Sequence, residues 1–147
     1  MGATVIQPGD GEMLGAGVYQ LRFLAESPAE PIAITENAIP AHFPGPVLHR
    51  HRYLTDIFYV LEGTITMHLD GAEQDVGPGG FVLVPPGVVH SFANHGDEPA
   101  RFLNIYQPAG NEQYLKELGK LLEAGTPLTP VLMAEVASRY DFEAVVE

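Results

Sequence analysis

The sequence predicts an all-β sandwich or barrel followed by two short helices. Up to Pro108, short stretches rich in Val, Ile, Phe and Tyr alternate with turn clusters such as PGDG at 8–11, FPGP at 43–46, GPGG at 77–80 and NHGDEP at 94–99. None of these stretches is long enough for a helix. Beyond Pro108 the apolar spacing changes from two residues to three or four, the period of an amphipathic helix. Composition agrees: 147 residues, 46% hydrophobic, with 16 Gly and 13 Pro, suit one domain closing a real core through many tight turns. The expected layout is a single domain over 1–147, with a barrel core at about 15–108 and a helical segment at about 111–141.

In chain order, Tyr19, Leu21 and Phe23 alternate with Gln20 and Arg22 and predict a strand at a sheet edge. An open edge invites pairing, so a homodimer is expected. The clearest hairpin is Thr64 to Val76, where Ile65, Met67 and Leu69 alternate with Thr66 and His68, and Asp70-Gly71 supplies the two φ > 0 positions of a type I′ turn. Asn111 is a candidate N-cap for a helix whose apolar face is Tyr114, Leu115, Leu118, Leu121 and Leu122, with Gly125 at C′ and Glu112–Lys116 as an i, i+4 ion pair. Thr129-Pro130 opens the second helix as N-cap and N1, running through Val131, Leu132, Glu135 and Val136 toward Tyr140.

Charge and composition exclude several functions. Seven basic against 19 acidic side chains give a net charge of −12, which disfavours nucleic-acid backbones and anionic membrane surfaces, since both are bound through Lys and Arg. With no Cys, disulfide scaffolds, thiolate metal sites and Cys nucleophiles are out, and any metal must rest on imidazole and carboxylate. No run of about 18 apolar residues exists to span a bilayer, and MGATVIQPGDGEML lacks the basic and apolar regions of a secretory leader, so a cytoplasmic location is expected.

Chemistry concentrates in two stretches. His49 and His51 are at i and i+2, so a strand presents both imidazoles on one face, half of a metal site. From Asp56, parity puts Phe58 and Val60 on the same face; from His90 it adds Phe92 and Asn94. If those faces line the barrel, the four residues Phe58, Val60, Phe92 and Asn94 form an apolar pocket for a small molecule.

The two stretches together resemble the double motif of the cupin superfamily. Gly79, Pro85, Gly87, His90 and Asn94 match its second part at every position, and His49, His51 and Gly63 match the first. Two departures stand out: the leading glycine is the closer Gly45, and Asp56 stands where the family has Glu. The resemblance implies a double-stranded β-helix, or jelly-roll barrel, holding one divalent metal on His49, His51 and His90 with Asp56 as a possible fourth ligand. Such a thiolate-free set suits Mn, Fe, Co, Ni, Cu or Zn. Asp56 is one methylene shorter than Glu, so it either ligates directly, contacts metal-bound water, or caps a strand as an exposed turn residue.

From about 40 to 145, including the Ile105–Gly119 tail and Tyr140-Asp141, the chain looks like small single-domain cupins grouped with the quercetin (flavonol) dioxygenases. That implies a metal-dependent oxidoreductase acting on a small aromatic or enolic hydroxy compound, with Asp56 as the base for the substrate hydroxyl. An Asp with ordinary pKa of about 3.9 is a weak base unless burial raises it, and Phe58 and Phe92 are the expected cause of such a rise. Two alternatives remain: redox-neutral isomerase, cyclase or lyase chemistry on the same metal, and a non-catalytic binding barrel. His68, His42 and His95 are expected at the surface, Arg50 and Arg52 facing outward or pairing with acids, and Tyr59 and Tyr106 as core aromatics.

Overall fold

A computed structural model describes residues 2–145. Two antiparallel sheets face each other. The larger runs in the order β1 (Glu12–Ala16), β2 (Tyr19–Ala25), β3 (Ala33–Ile39), β10 (Ala100–Gln107), β5 (Thr55–Glu62) and β8 (Phe81–Val84). The smaller joins β11 (Glu143–Ala144), β4 (His49–Arg50), β9 (His90–Ala93), β6 (Ile65–Leu69) and β7 (Ala72–Val76). This is the predicted double-stranded β-helix, followed by α1 (Glu112–Glu123) and α2 (Pro130–Ala137). Alternation builds the core: Leu21, Phe23, Phe58, Val60 and Phe102 enter from the larger sheet, Ile65 and Met67 from the smaller, all essentially buried.

Local chemistry explains several junctions. Asp70 (φ 48°) and Gly71 (φ 86°) form the predicted turn, pairing Leu69 with Ala72 across the hairpin. Gly45 (φ 74°) has no room for a side chain, because a Cβ there would lie 1.6 Å from the Phe92 carbonyl oxygen. Thr129 caps α2 through Leu132 N–H (3.1 Å) with Pro130 behind it, as expected. At the end of α1, Gly125 (φ 79°) sits at C′, and the N–H groups of Gly125 and Thr126 reach back to the Leu122 and Leu121 carbonyls.

Three expectations are corrected. The Tyr19–Phe23 stretch is not an edge: β2 is paired on both sides, by β1 and β3, and α1 packs across β1. The homodimer expectation therefore loses the open strand on which it rested. Asn111 occupies the N-cap position but is helical (φ −70°, ψ −14°) and makes no side-chain cap bond. The first-turn N–H groups of Gln113 and Tyr114 go instead to the Gly110 and Asn111 carbonyls. The fully buried Glu112 carboxylate accepts from Gly110 N–H and from the backbone and hydroxyl of Ser27, tying α1 to the loop after β2. Glu112 is thus unavailable to Lys116, which pairs instead with Glu12 (2.8 Å) and Glu26. No helix among the described residues is long and apolar enough to cross a membrane.

Candidate metal centre

His49, His51 and His90 are buried, and one ring nitrogen from each lies within 4.8 Å of the others. Cross-strand pairing explains the meeting, since His49 on β4 stands directly opposite His90 on β9. The three rings are oriented by their other nitrogens. Nδ1 of His49 faces the Val47 carbonyl (2.8 Å), Nδ1 of His90 the Val88 carbonyl (3.0 Å), and Nδ1 of His51 the Asp141 carbonyl (2.5 Å). A carbonyl only accepts, so each Nδ1 carries the hydrogen, and in a neutral ring Nε2 is left as a lone pair.

Asp56 completes the cluster. It is buried on β5, with Oδ2 3.2 Å from His90 Nε2 and 3.4 Å from His51 Nε2. Oδ1 accepts from Asn104 Nδ2 (2.6 Å), which also reaches the Ile57 carbonyl. Lone pairs of neutral imidazoles and a carboxylate oxygen thus converge, an arrangement that needs a cation or extra protons among them. His51 Nε2 faces the Asp56 carboxylate, and the O···N separations are of the size shared by two ligands of one ion at about 2.1 Å each. The residues therefore fit a divalent metal of the borderline class.

The electrostatics carry the same tension. Burial and the neighbouring His90 and His51 push His49 down to about 3. Burial also lowers His51, but hydrogen bonding and charge from Asp56 outweigh it and raise the group. Burial pushes the Asp56 carboxyl up, yet His51 and His90 prevail and hold it at about 2. The expected rise of Asp56 is thus overturned: hydrogen-bonding imidazoles beat the apolar surroundings, and the group is an ionised carboxylate.

Beside the cluster lies a small cavity of about 30 Å³, room for about two waters. Phe58 and Phe92 line it as parity predicted. Val60 and Asn94 do not. Val60 is on the same face but two residues further along β5, about 6.6 Å deeper in the core. Asn94 spends its side chain on the following loop, donating to the Pro40 and Glu98 carbonyls and accepting from Gly96 N–H. Tyr106 lines the cavity, whereas Tyr59, expected in the core, faces outward. His42 and His95 are exposed and His68 is half-buried on the side away from Met67.

Sequence reasoning missed the contribution of the C-terminal segment. Tyr114, Leu115 and Leu118 of α1, Met133 of α2 and Phe142 all line the cavity, so the helices close the mouth of the barrel. Phe142 stacks on His49 with ring centroids 4.2 Å apart and planes at 17°. Arg50 and Arg52 both pair with Glu143, which fits the expectation that they meet acids.

Comparison with known proteins agrees with this picture. The family described as Cupin domain matches residues 38–106, which hold His49, His51, Asp56 and His90. Over that stretch the chain is similar to a cupin domain, and the fold around it is the cupin fold. A stretch of 71 residues, 48% of the chain, is 37% identical to quercetin 2,3-dioxygenase of Bacillus subtilis, and this chain spans only 21% of that protein's length. Among solved structures, the polyketide cyclase RemF from Streptomyces resistomycificus is 25% identical with a TM-score of 0.60, covering 71% of this chain and 79% of that chain. KdgF from Halomonas sp. shares the fold at 16% identity and a TM-score of 0.62, covering 77% of this chain and 99% of that chain.

Proposed function

We propose that this protein is a metal-dependent oxidoreductase that acts, in a dioxygenase-type reaction, on a small aromatic or enolic hydroxy compound. The observation that carries the reading is the convergence of three Nδ1-anchored imidazoles with a buried, ionised Asp56 beside a cavity walled by Phe58 and Phe92. His49, His51 and His90 would hold one divalent ion (Mn, Fe, Co, Ni, Cu or Zn), with Asp56 as ligand or as neighbour of bound water. When bound, such an ion polarises oxygen and lowers the pKa of a hydroxyl it meets.

The remaining roles fall to this chain's own groups. The hydrogen bonds from His51 and His90 that hold the Asp56 carboxyl at about 2 would be given up once those imidazoles turn their lone pairs to an ion. Asp56 Oδ2 would then accept the substrate hydroxyl proton, while Asn104 fixes the other oxygen and so the direction of the acceptor. Phe58 and Phe92 exclude water and favour a flat, apolar substrate body. The cavity is far smaller than the roughly 300 Å³ of an ordinary ligand pocket, so α1, α2 or Phe142 must shift to admit one. Oxygen uptake with candidate phenols and enols tests the proposal: consumption that disappears in Asp56→Ala at full metal load is the expected result.

The likeness to a polyketide cyclase favours one second reading, a redox-neutral reaction on the same ligand set. Product formation under argon at the aerobic rate would establish that reading and remove the first.

A further inference from the structure

We propose that Asp141 and Phe142 are positioning residues for the metal-binding imidazoles, so that a C-terminal strap, rather than the barrel alone, sets His49 and His51 for the ion. The inference rests on the metal reading above and adds residues outside the barrel to it. Strand β4 is only two residues long, and His51 lies just beyond its end, where Gly87 N–H holds its carbonyl (2.8 Å) but the nearby chain does not hold its ring. Fixing the ring therefore falls to something else.

The strap supplies that support at four points. Asp141 uses both ends: its carbonyl faces His51 Nδ1, and its carboxylate accepts from the N–H groups of Arg52 (2.7 Å), Tyr53 (2.9 Å) and Leu54 (3.1 Å). One residue thus pins the turn after the HxH pair and orients the second imidazole of that pair. Phe142 lies flat on the first. Next, β11 pairs with β4 (Glu143 with Arg50, Ala144 with His49), and Val145 N–H reaches the Leu48 carbonyl (2.9 Å). Outside, Glu143 takes both Arg50 and Arg52. Asp141, 90 positions away in sequence, thus does for His51 what Val47 and Val88, each two residues away, do for His49 and His90.

Groups that hold a ligand's second nitrogen or its ring typically govern metal affinity by about 10- to 100-fold. The test is Co(II) binding, followed by visible absorption against a competing chelator, for wild type, Asp141→Ala, Phe142→Leu and Val136→Ala. Val136 is buried in α2 away from the site and reports simple loss of packing. Each protein is compared at a temperature well below its apo melting point. Asp141→Ala, which keeps the carbonyl but unpins it from the Arg52–Leu54 turn, and Phe142→Leu should each bind Co(II) about 3- to 10-fold more weakly, with an altered absorption band. Val136→Ala should melt earlier yet bind as wild type. Should Asp141→Ala not fold, Phe142→Leu decides by the same measure. Wild-type affinity in both strap variants, or an equal loss in Val136→Ala, overturns the positioning role. A wild-type chain that takes up no Co(II) overturns the metal reading itself, and this role with it.

Discussion

The two histidine-bearing strands share one support and differ in another: His49 and His90 are each anchored by a carbonyl two residues back, and His51 is not. His90 starts β9, which lies inside the smaller sheet between β4 and β6, and its ring is anchored by a carbonyl two residues back. His49 and His51 sit on and just after a two-residue strand whose outer neighbour is the C-terminal β11. Both strands deliver the same chemical group. Strand β9 is held by sheet and local chain, whereas β4 adds to these a segment arriving from the far end of the sequence, which alone anchors the His51 ring, so sites that look equivalent in a motif differ in what must fold before they form.

The largest expected effect strikes the well-supported strand. Gly45→Ala forces a methyl onto the Phe92 carbonyl of β9 and should cost about 3 kcal/mol or more in urea denaturation. A cost under about 0.5 kcal/mol would show that β9 is not held as tightly as the packing indicates. Next come the candidate ligands. His90→Ala and His49→Ala should each weaken metal binding beyond the roughly 100-fold that loss of a supporting group brings, as read by elemental analysis after chelator competition. If either variant keeps the wild-type load, that strand contributes no ligand.

Asn104→Ala touches the carboxylate held by the larger sheet. Removing the donor to a buried, ionised Asp56 should lower stability by about 2 kcal/mol. Turnover should fall while the metal load stays, and loss of metal instead would place Asp56 among the ligands that Asn104 keeps in register. The smallest effect concerns pH. Burial raises the Asp141 carboxyl, but the N–H groups of Arg52, Tyr53 and Leu54 outweigh it and hold the group below its ordinary value. A depressed folded pKa stabilises above the unfolded value of about 3.9, and that contribution is lost as pH falls through the folded one. Amide shifts of Arg52, Tyr53 and Leu54 followed by NMR should therefore titrate together with a midpoint below about 3.9, before the β9 amides respond. A midpoint at or above that value would detach the strap from the turn.

Much of the site is legible locally. Parity alone aligns His49 with His51 and Asp56 with Phe58, and the Pro85-Pro86-Gly87 turn announces the strand of His90. The rule fails where a residue's depth or its other bonds matter. Val60 shares a face with Asp56 yet lies too deep, and Asn94 is taken by its loop. The start of α1 fails in the same way: Asn111 has the right type and position yet makes no cap bond, and Glu112, expected to pair with Lys116, finds Ser27, a partner 85 residues away. Likewise the direction of the Asp56 shift depends on which charges surround a buried carboxylate, and these are set by the meeting of β4, β5 and β9.

Local pattern was enough to announce the strands, the hairpin, the two helices and the residue types of the candidate metal site. Each of these depends on period, turn residues or side-chain identity within a few positions. Only the tertiary structure decided that Tyr19–Phe23 is an inner strand, that α1 and α2 close the mouth, and that Asp141 and Phe142 hold the HxH imidazoles. Those facts are pairings between distant segments, chosen by which surfaces bury one another and which buried polar groups find partners, and no local pattern records them.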